Sequence, residues 1–136
     1  MMNELTQKIL VIDAHPVYSG KLMGYLQGLT FKDIKLCVTG AEALNQFKIH
    51  KCNYDLIIMS SQLPDVESLT VCKEIVQCCQ PKPKMIVQVG LFAEEETINQ
   101  FKESGVEVVL LRKEKDLHPL ELAIEQLLNL TQWKTS

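Results

Sequence analysis

Strand-length apolar runs alternating with segments of helical period constrain this chain more than any other feature. Ile9-Leu10-Val11-Ile12 opens the series, and Leu56-Ile57-Ile58-Met59 and Met85-Ile86-Val87 repeat its character. Runs this continuously apolar predict strands covered on both faces, which is the signature of a parallel sheet rather than an antiparallel one. Strands are expected over residues 8–13, 34–38, 56–59, 85–89 and 106–111. Between them, Pro16 suits a helix first turn, and Val17, Lys21-Leu22 and Tyr25-Leu26 follow at helical spacing. Residues 41–47, 67–79 and 94–103 predict three more helices. A last one starts near Pro119, with Leu120, Ile124, Leu127 and Leu128 as its apolar stripe. Gly105 is placed to stop the fourth helix. Repeated β-α units imply right-handed crossovers with helices on both faces. In such open sheets, ligands and partners gather at the carboxyl ends of the strands. Those ends are Asp13-Ala14-His15, Ser60-Ser61, Gly90-Leu91 and Arg112-Lys113.

The remaining properties exclude more than they assign. With 136 residues the chain is long enough for one domain and its core. A net charge of −3 gives no reason to expect nucleic-acid binding. No apolar run is long enough to span a membrane, and the first residues lack the apolar stretch of a secretion signal. The expectation is therefore a cytoplasmic protein with no membrane contact. The five cysteines include no C-x-x-C pair. A disulfide framework is not expected, and Cys37 and Cys72 read as small buried hydrophobes. His50 and Cys52 flank Lys51, but two candidate ligands in one loop do not make a metal site.

Several motifs, in order and suitably spaced, resemble the receiver domain of two-component response regulators over residues 7–130. Residues 131–136 are left as a tail or the start of a linker. Asp13-Ala14-His15-Pro16 after the first apolar run is similar to that family's opening. Gly40-x-Glu42-Ala43-Leu44 resembles its second helix start. Asp55 to Met59 followed by Gln62-Leu63-Pro64 resembles the segment around its phosphoacceptor, and Gly105-Val106-Glu107 its approach to the fifth strand. The resemblance implies a flavodoxin-like, doubly wound (βα)5 fold with strand order 2-1-3-4-5.

Carried across position by position, the resemblance puts the phosphoacceptor aspartate at Ser60 and the second acidic Mg²⁺ ligand at Ala14. It puts the phosphoryl-contacting hydroxyl at Gly90, the pairing lysine at Arg112 and the aromatic switch at Val109. The proline after that lysine falls on Lys113, and a loop glycine falls on Ser68. Of the pocket positions only Asp13 keeps the family's residue. Aspartyl phosphorylation needs a carboxylate nucleophile and a hard cation held by several oxygens. Ser60 supplies neither, and Asp13 alone would hold Mg²⁺ weakly or not at all. Two opposite charges remain in the pocket, so Arg112 is expected to reach Asp13 and close it without metal or phosphate.

Three functional readings follow. The first is a phosphorylation-independent signalling module, not an enzyme and needing no cofactor. It would meet a protein partner or a second copy through the fourth helix, fifth strand and fifth helix. The second is the regulatory half of a transcriptional regulator whose DNA-binding part lies outside the chain. The third rests on Asp13-x-His15 and Ser61-x-Leu63, which resemble signatures of cobalamin-binding domains. Tyr18 and Leu91 stand where that family needs glycine. His15-Pro16 and His118-Pro119 read as helix entries, and Glu94-Glu95-Glu96 as a solvated first turn favoured by the helix dipole. Ser60 and Ser61 follow a buried strand, which makes them poor kinase targets.

Overall fold

The computed structural model describes residues 5–49 and 52–130. Strands β1 (Leu5–Ile12), β2 (Phe31–Cys37), β3 (Leu56–Ser60), β4 (Lys84–Val89) and β5 (Val108–Leu111) alternate with helices. These are α1 (Pro16–Gly28), α2 (Gly40–Ile49), α3 (Ser68–Cys78), α4 (Glu95–Glu103) and α5 (His118–Leu128). The strands form one parallel sheet in the order β2-β1-β3-β4-β5. This is the parallel sheet that the alternation predicts, in the flavodoxin-like, doubly wound order that the resemblance implies.

Period-two alternation divides the central strands between two cores. Leu10, Ile12, Ile57, Met59 and Val87 face α2, α3 and α4, packing with Phe47, Ile75 and Phe101. Ile9, Val11, Leu56, Ile58 and Ile86 face α1 and α5, packing with Leu22, Leu26 and Ile124. Every residue of β3 is buried, which is why its sequence carries no alternation.

Helix ends follow their local chemistry. His15 is the N-cap of α1, its Nδ1 accepting the Tyr18 N–H at 3.1 Å. Pro16 occupies the first turn, where a missing N–H is harmless. Gly105, at φ 110°, ends α4, and Asn129, at φ 62°, ends α5. The start of α2 is held from across the molecule. Asp65, in the β3–α3 loop, accepts the Gly40 N–H at 2.9 Å and the Ala41 N–H at 2.8 Å. A Cβ at Gly40 would collide with Val66, so this close approach requires glycine.

Some sequence expectations need correction. Val17 does not belong to the buried face of α1: it is 72% exposed, and Tyr18 is buried instead. Tyr18, Leu22 and Leu26, four residues apart, share the buried face. Strand β2 begins three residues earlier than expected, at Phe31, because Leu5 of β1 pairs with it. Val106 is buried but lies before β5. The expectation of no disulfide framework is corrected by one crosslink: Cys52 is bonded to Cys79, with Cα atoms 5.1 Å apart. The C-terminal end of α3 returns beside the segment entering β3, which spacing along the chain does not reveal. Cys37 and Cys72 are free and buried, as expected. Burial pushes their thiols up to about 11 and about 12 respectively. His50 and the 131–136 tail lie outside the described residues. Among the described residues no helix is long and apolar enough to cross a membrane.

Candidate functional site

The sheet register brings the sequence-predicted positions to one rim. Ile12 pairs with Met59, so the residues that follow, Asp13 and Ser60, leave adjacent strands side by side. Ser60 pairs with Gln88, Val89 pairs with Leu111, and the Arg112 N–H donates to the Val89 carbonyl at 2.9 Å. Gly90 therefore follows β4 between the ends of β3 and β5. Val109 lies within β5, half-buried against the α3–α4 side of the core.

Asp13 is the anchor of this rim and is only 2% exposed. Its Oδ1 accepts the His15 N–H at 2.9 Å, which fixes the turn from β1 into α1. Its Oδ2 accepts from Arg112 Nη2 at 2.5 Å, the charge-assisted contact expected from the residual charges. A buried carboxylate without a cation is costly, and the guanidinium meets that need at the same point.

Arg112 also lies over the Tyr18 ring, 4.1 Å from its centroid, a cation–π geometry. The Tyr18 hydroxyl accepts from Gln88 Nε2 at 2.6 Å, and burial raises the tyrosine's pKa. The chain Asp13–Arg112–Tyr18–Gln88, buried except for part of Arg112, thus ties the ends of β1 and β5 to α1 and β4. Reading the sequence by motif missed Tyr18 and Gln88. The available signal was Gln88 itself, a lone polar residue inside the apolar run of β4, which must find a partner when both sheet faces are covered. Gln88 Oε1 and Arg112 Nε have no protein partner.

The Ser60 hydroxyl is turned back on its own loop. It donates to the Gln62 carbonyl at 3.2 Å and accepts the Gln62 N–H at 3.1 Å. The Ser60 carbonyl accepts from Ser68 Oγ at 2.8 Å, so Ser68 pins the end of β3 to the start of α3. Nothing in this bonding pattern supplies a base to make Ser60 a nucleophile. Ala14 contributes no ligand atom from its side chain. At Gly90 an added Cβ would come no closer than 3.7 Å to Gln62 Nε2, so space does not reserve this position for glycine. Across the rim, His15 Nε2 lies 3.7 Å from Glu114, and Lys21 Nζ donates to the Glu114 carbonyl at 2.9 Å. Among the described residues no group of three or more His, Cys, Asp or Glu could hold a metal ion.

Comparison with known proteins agrees with this architecture. The family model described as the response regulator receiver domain matches residues 9–125. A two-component response regulator from Clostridium difficile superposes with a TM-score of 0.79 at 26% identity, covering 91% of this chain and 97% of that one. A CheY-like receiver domain protein from Methanospirillum hungatei gives 0.76 at 20% identity, covering 97% and 100%. The receiver domain of the histidine kinase CKI1 from Arabidopsis thaliana, complexed with Mg²⁺ and BeF3⁻, gives 0.74 at 20% identity, covering 90% of each. No curated protein matches the sequence significantly. The strand order, the rim at the carboxyl ends and a family match spanning most of the chain lead to one conclusion: the chain belongs to the response regulator receiver domain family.

Proposed function

We propose that this receiver works without phosphorylation, as a binding module of a two-component pathway. The observation that carries the reading is the Arg112–Asp13 ion pair, which occupies the rim where a cation would have to enter. Asp13 is the one carboxylate at the pocket positions, and it is already neutralised. Mg²⁺ gives up its water reluctantly, so displacing an arginine to reach a single carboxylate is unfavourable. The Ser60 hydroxyl is engaged by Gln62, and Ala14 and Gly90 offer no side-chain oxygen. In this reading Asp13, Ala14, Ser60, Gly90 and Arg112 form a pocket retained for structure, with no catalysis and no cofactor.

Output then passes through a surface held in one state. We place that surface on α4, β5 and α5, where Leu111 and Leu122 are 39% and 50% exposed. Val109, smaller than an aromatic, leaves that face uncoupled from the pocket. The module acts in the cytoplasm on a protein partner or a second copy, and on neither nucleic acid nor membrane.

The test is an NMR titration with Mg²⁺ and then beryllofluoride, together with intact-mass measurement after incubation with acetyl phosphate. The expected result is no saturable shift around Asp13 and no phosphoryl adduct. A variant combining Ala14→Asp, Ser60→Asp, Gly90→Thr and Arg112→Lys gains both responses and proves the assay competent. A saturable response or a phosphorylated wild-type chain would overturn the reading. Light scattering over a concentration series separates a dimer from a monomer that needs another protein.

A further inference from the structure

We propose that the seam between α3 and α4, together with the exposed Leu91–Phe92 tip, is a docking groove for a basic amphipathic helix of a partner protein. This surface differs from the α4-β5-α5 face and does not depend on the state of the Asp13 pocket.

The groove begins at the carboxyl end of the sheet. A recess of about 540 Å³ lies between the β3–α3 loop and α4, with Leu63, Val66, Leu69 and Phe101 among its lining residues. A second recess of about 300 Å³ shares Leu69 and Gln100 with the first and continues to Glu103 and Ser104. The two therefore form one furrow along the length of α4. Nine residues of helix correspond to about 13 Å, room for some two and a half turns of a partner helix. Helix α4 is suited to such a role because it is lightly anchored, with Phe101 its one fully buried side chain.

The mouth of the furrow carries an apolar feature the fold does not need. The Ala93 N–H donates to the Gly90 carbonyl at 3.1 Å, making a tight turn with Leu91 and Phe92 at its corner. Leu91 is 74% exposed and Phe92 92% exposed, so neither contributes to either core. Gly90 lies beside Gln62, which lines the furrow, and this sets the tip at its upper end. An exposed aromatic at the edge of a half-apolar groove is the kind of anchor on which interfaces concentrate their energy.

Charge selects the occupant. Asp65 and Glu67 line the first recess and are exposed, and Glu94, Glu95 and Glu96, also exposed, stand at the start of the adjoining α4. At the far end Lys73 and Glu103 offset each other. Acidic residues at the edge of a partly apolar recess match a helix with apolar residues at i, i+3 or i+4, and i+7, and Lys or Arg on its flanks.

The probe is a synthetic peptide of about four helical turns with a leucine stripe at that spacing and lysines elsewhere. Two controls accompany it: the same composition scrambled to disperse the stripe, and a version with Glu replacing Lys. Binding to the full chain is followed by amide shifts of Leu69, Thr97 and Gln100. The striped basic peptide is expected to saturate these shifts, with both controls at least about tenfold weaker. Phe92→Ser should weaken it about tenfold. Combined Glu94→Gln, Glu95→Gln and Glu96→Gln should weaken it about fivefold and flatten its salt dependence. These side chains are exposed, so the variants keep the fold, which thermal melts check. Equal binding of the scrambled peptide, shifts centred elsewhere, or an unchanged affinity in Phe92→Ser would overturn the proposal. So would self-association of the chain that Phe92→Ser abolishes, since the groove would then belong to a second copy.

Discussion

At the amino-terminal ends of the strands, Asp55 accepts the Lys8 N–H at 2.7 Å, and Glu107 accepts the Met85 N–H at 3.0 Å and pairs with Lys82. At the carboxyl ends, Asp13 accepts the His15 N–H and a guanidinium. Both ends use carboxylates to satisfy backbone donors, but only Asp13 does so under full burial. Asp55 and Glu107 keep contact with water, so a neutral replacement there loses one bond and little else. Without Arg112, Asp13 would be a buried carboxylate with no cation beside it. The amino-terminal end is also fastened by the Cys52–Cys79 crosslink. Among the described residues, the carboxyl end carries most of the exposed large apolar side chains, Val17, Val38, Leu91, Phe92 and Leu111. One end closes the fold and the other displays a surface.

The sharpest break of this comparison is Arg112→Met. It leaves a buried carboxylate without its cation and should lower unfolding stability by about 3 kcal/mol in urea denaturation. Adding Asp13→Asn should recover most of that loss, because the stranded charge is gone. A single variant within about 0.5 kcal/mol of wild type would mean that the pair does not hold the rim. Next in size is the crosslink. Reduction, or Cys52→Ser, should cost about 2 kcal/mol by freeing a loop of 27 residues in the unfolded chain, read as a shift in the denaturation midpoint. The effect should add to that of Arg112→Met, since the two lie at opposite ends of the sheet.

Glu107→Gln should cost about 1 kcal/mol, because the amide still accepts from Met85 but loses Lys82. A loss as large as that of Arg112→Met would erase the distinction between the two ends. The smallest effect belongs to Asp65, whose carboxyl is held below the usual range by the N–H groups of Ala41 and Gly40. A lowered folded pKa means its contribution is present above the ordinary carboxylate range and fades as pH falls through the lowered value. The stability difference between wild type and Asp65→Asn should therefore narrow in acid. A difference independent of pH would show that shape rather than charge caps α2.

Much of this was legible in the residues, for identifiable reasons. The central strands announced themselves because a sheet covered on both faces demands continuous apolar runs. The site positions were legible because strand ends in such a sheet must converge. The Asp13–Arg112 contact followed from counting the charges left on the rim. Features that depend on rotation or on chain return were not legible. Tyr18 rather than Val17 turns inward, in step with Leu22 and Leu26 at four-residue spacing, a phase that an apolar Val17 beside it obscured. The Cys52–Cys79 bond required knowing where α3 ends in space. The exposure of Leu91 and Phe92 depends on the turn that begins at Gly90, which the sequence does not mark.

The Arg112–Asp13 pair has a consequence for the path by which this pocket could change. A carboxylate introduced alone at position 14 or 60 would enter a rim whose charges already cancel. A hydroxyl introduced alone at position 90 would have Gln62 Nε2 as its nearest side-chain neighbour. Lysine alone at position 112 would forfeit the stacking on Tyr18. In the proposed reading, phosphoryl chemistry therefore returns only through several replacements together. On that reading the pocket is a mutational dead end, and stepwise drift remodels the surface of this protein more readily than the rim beneath it.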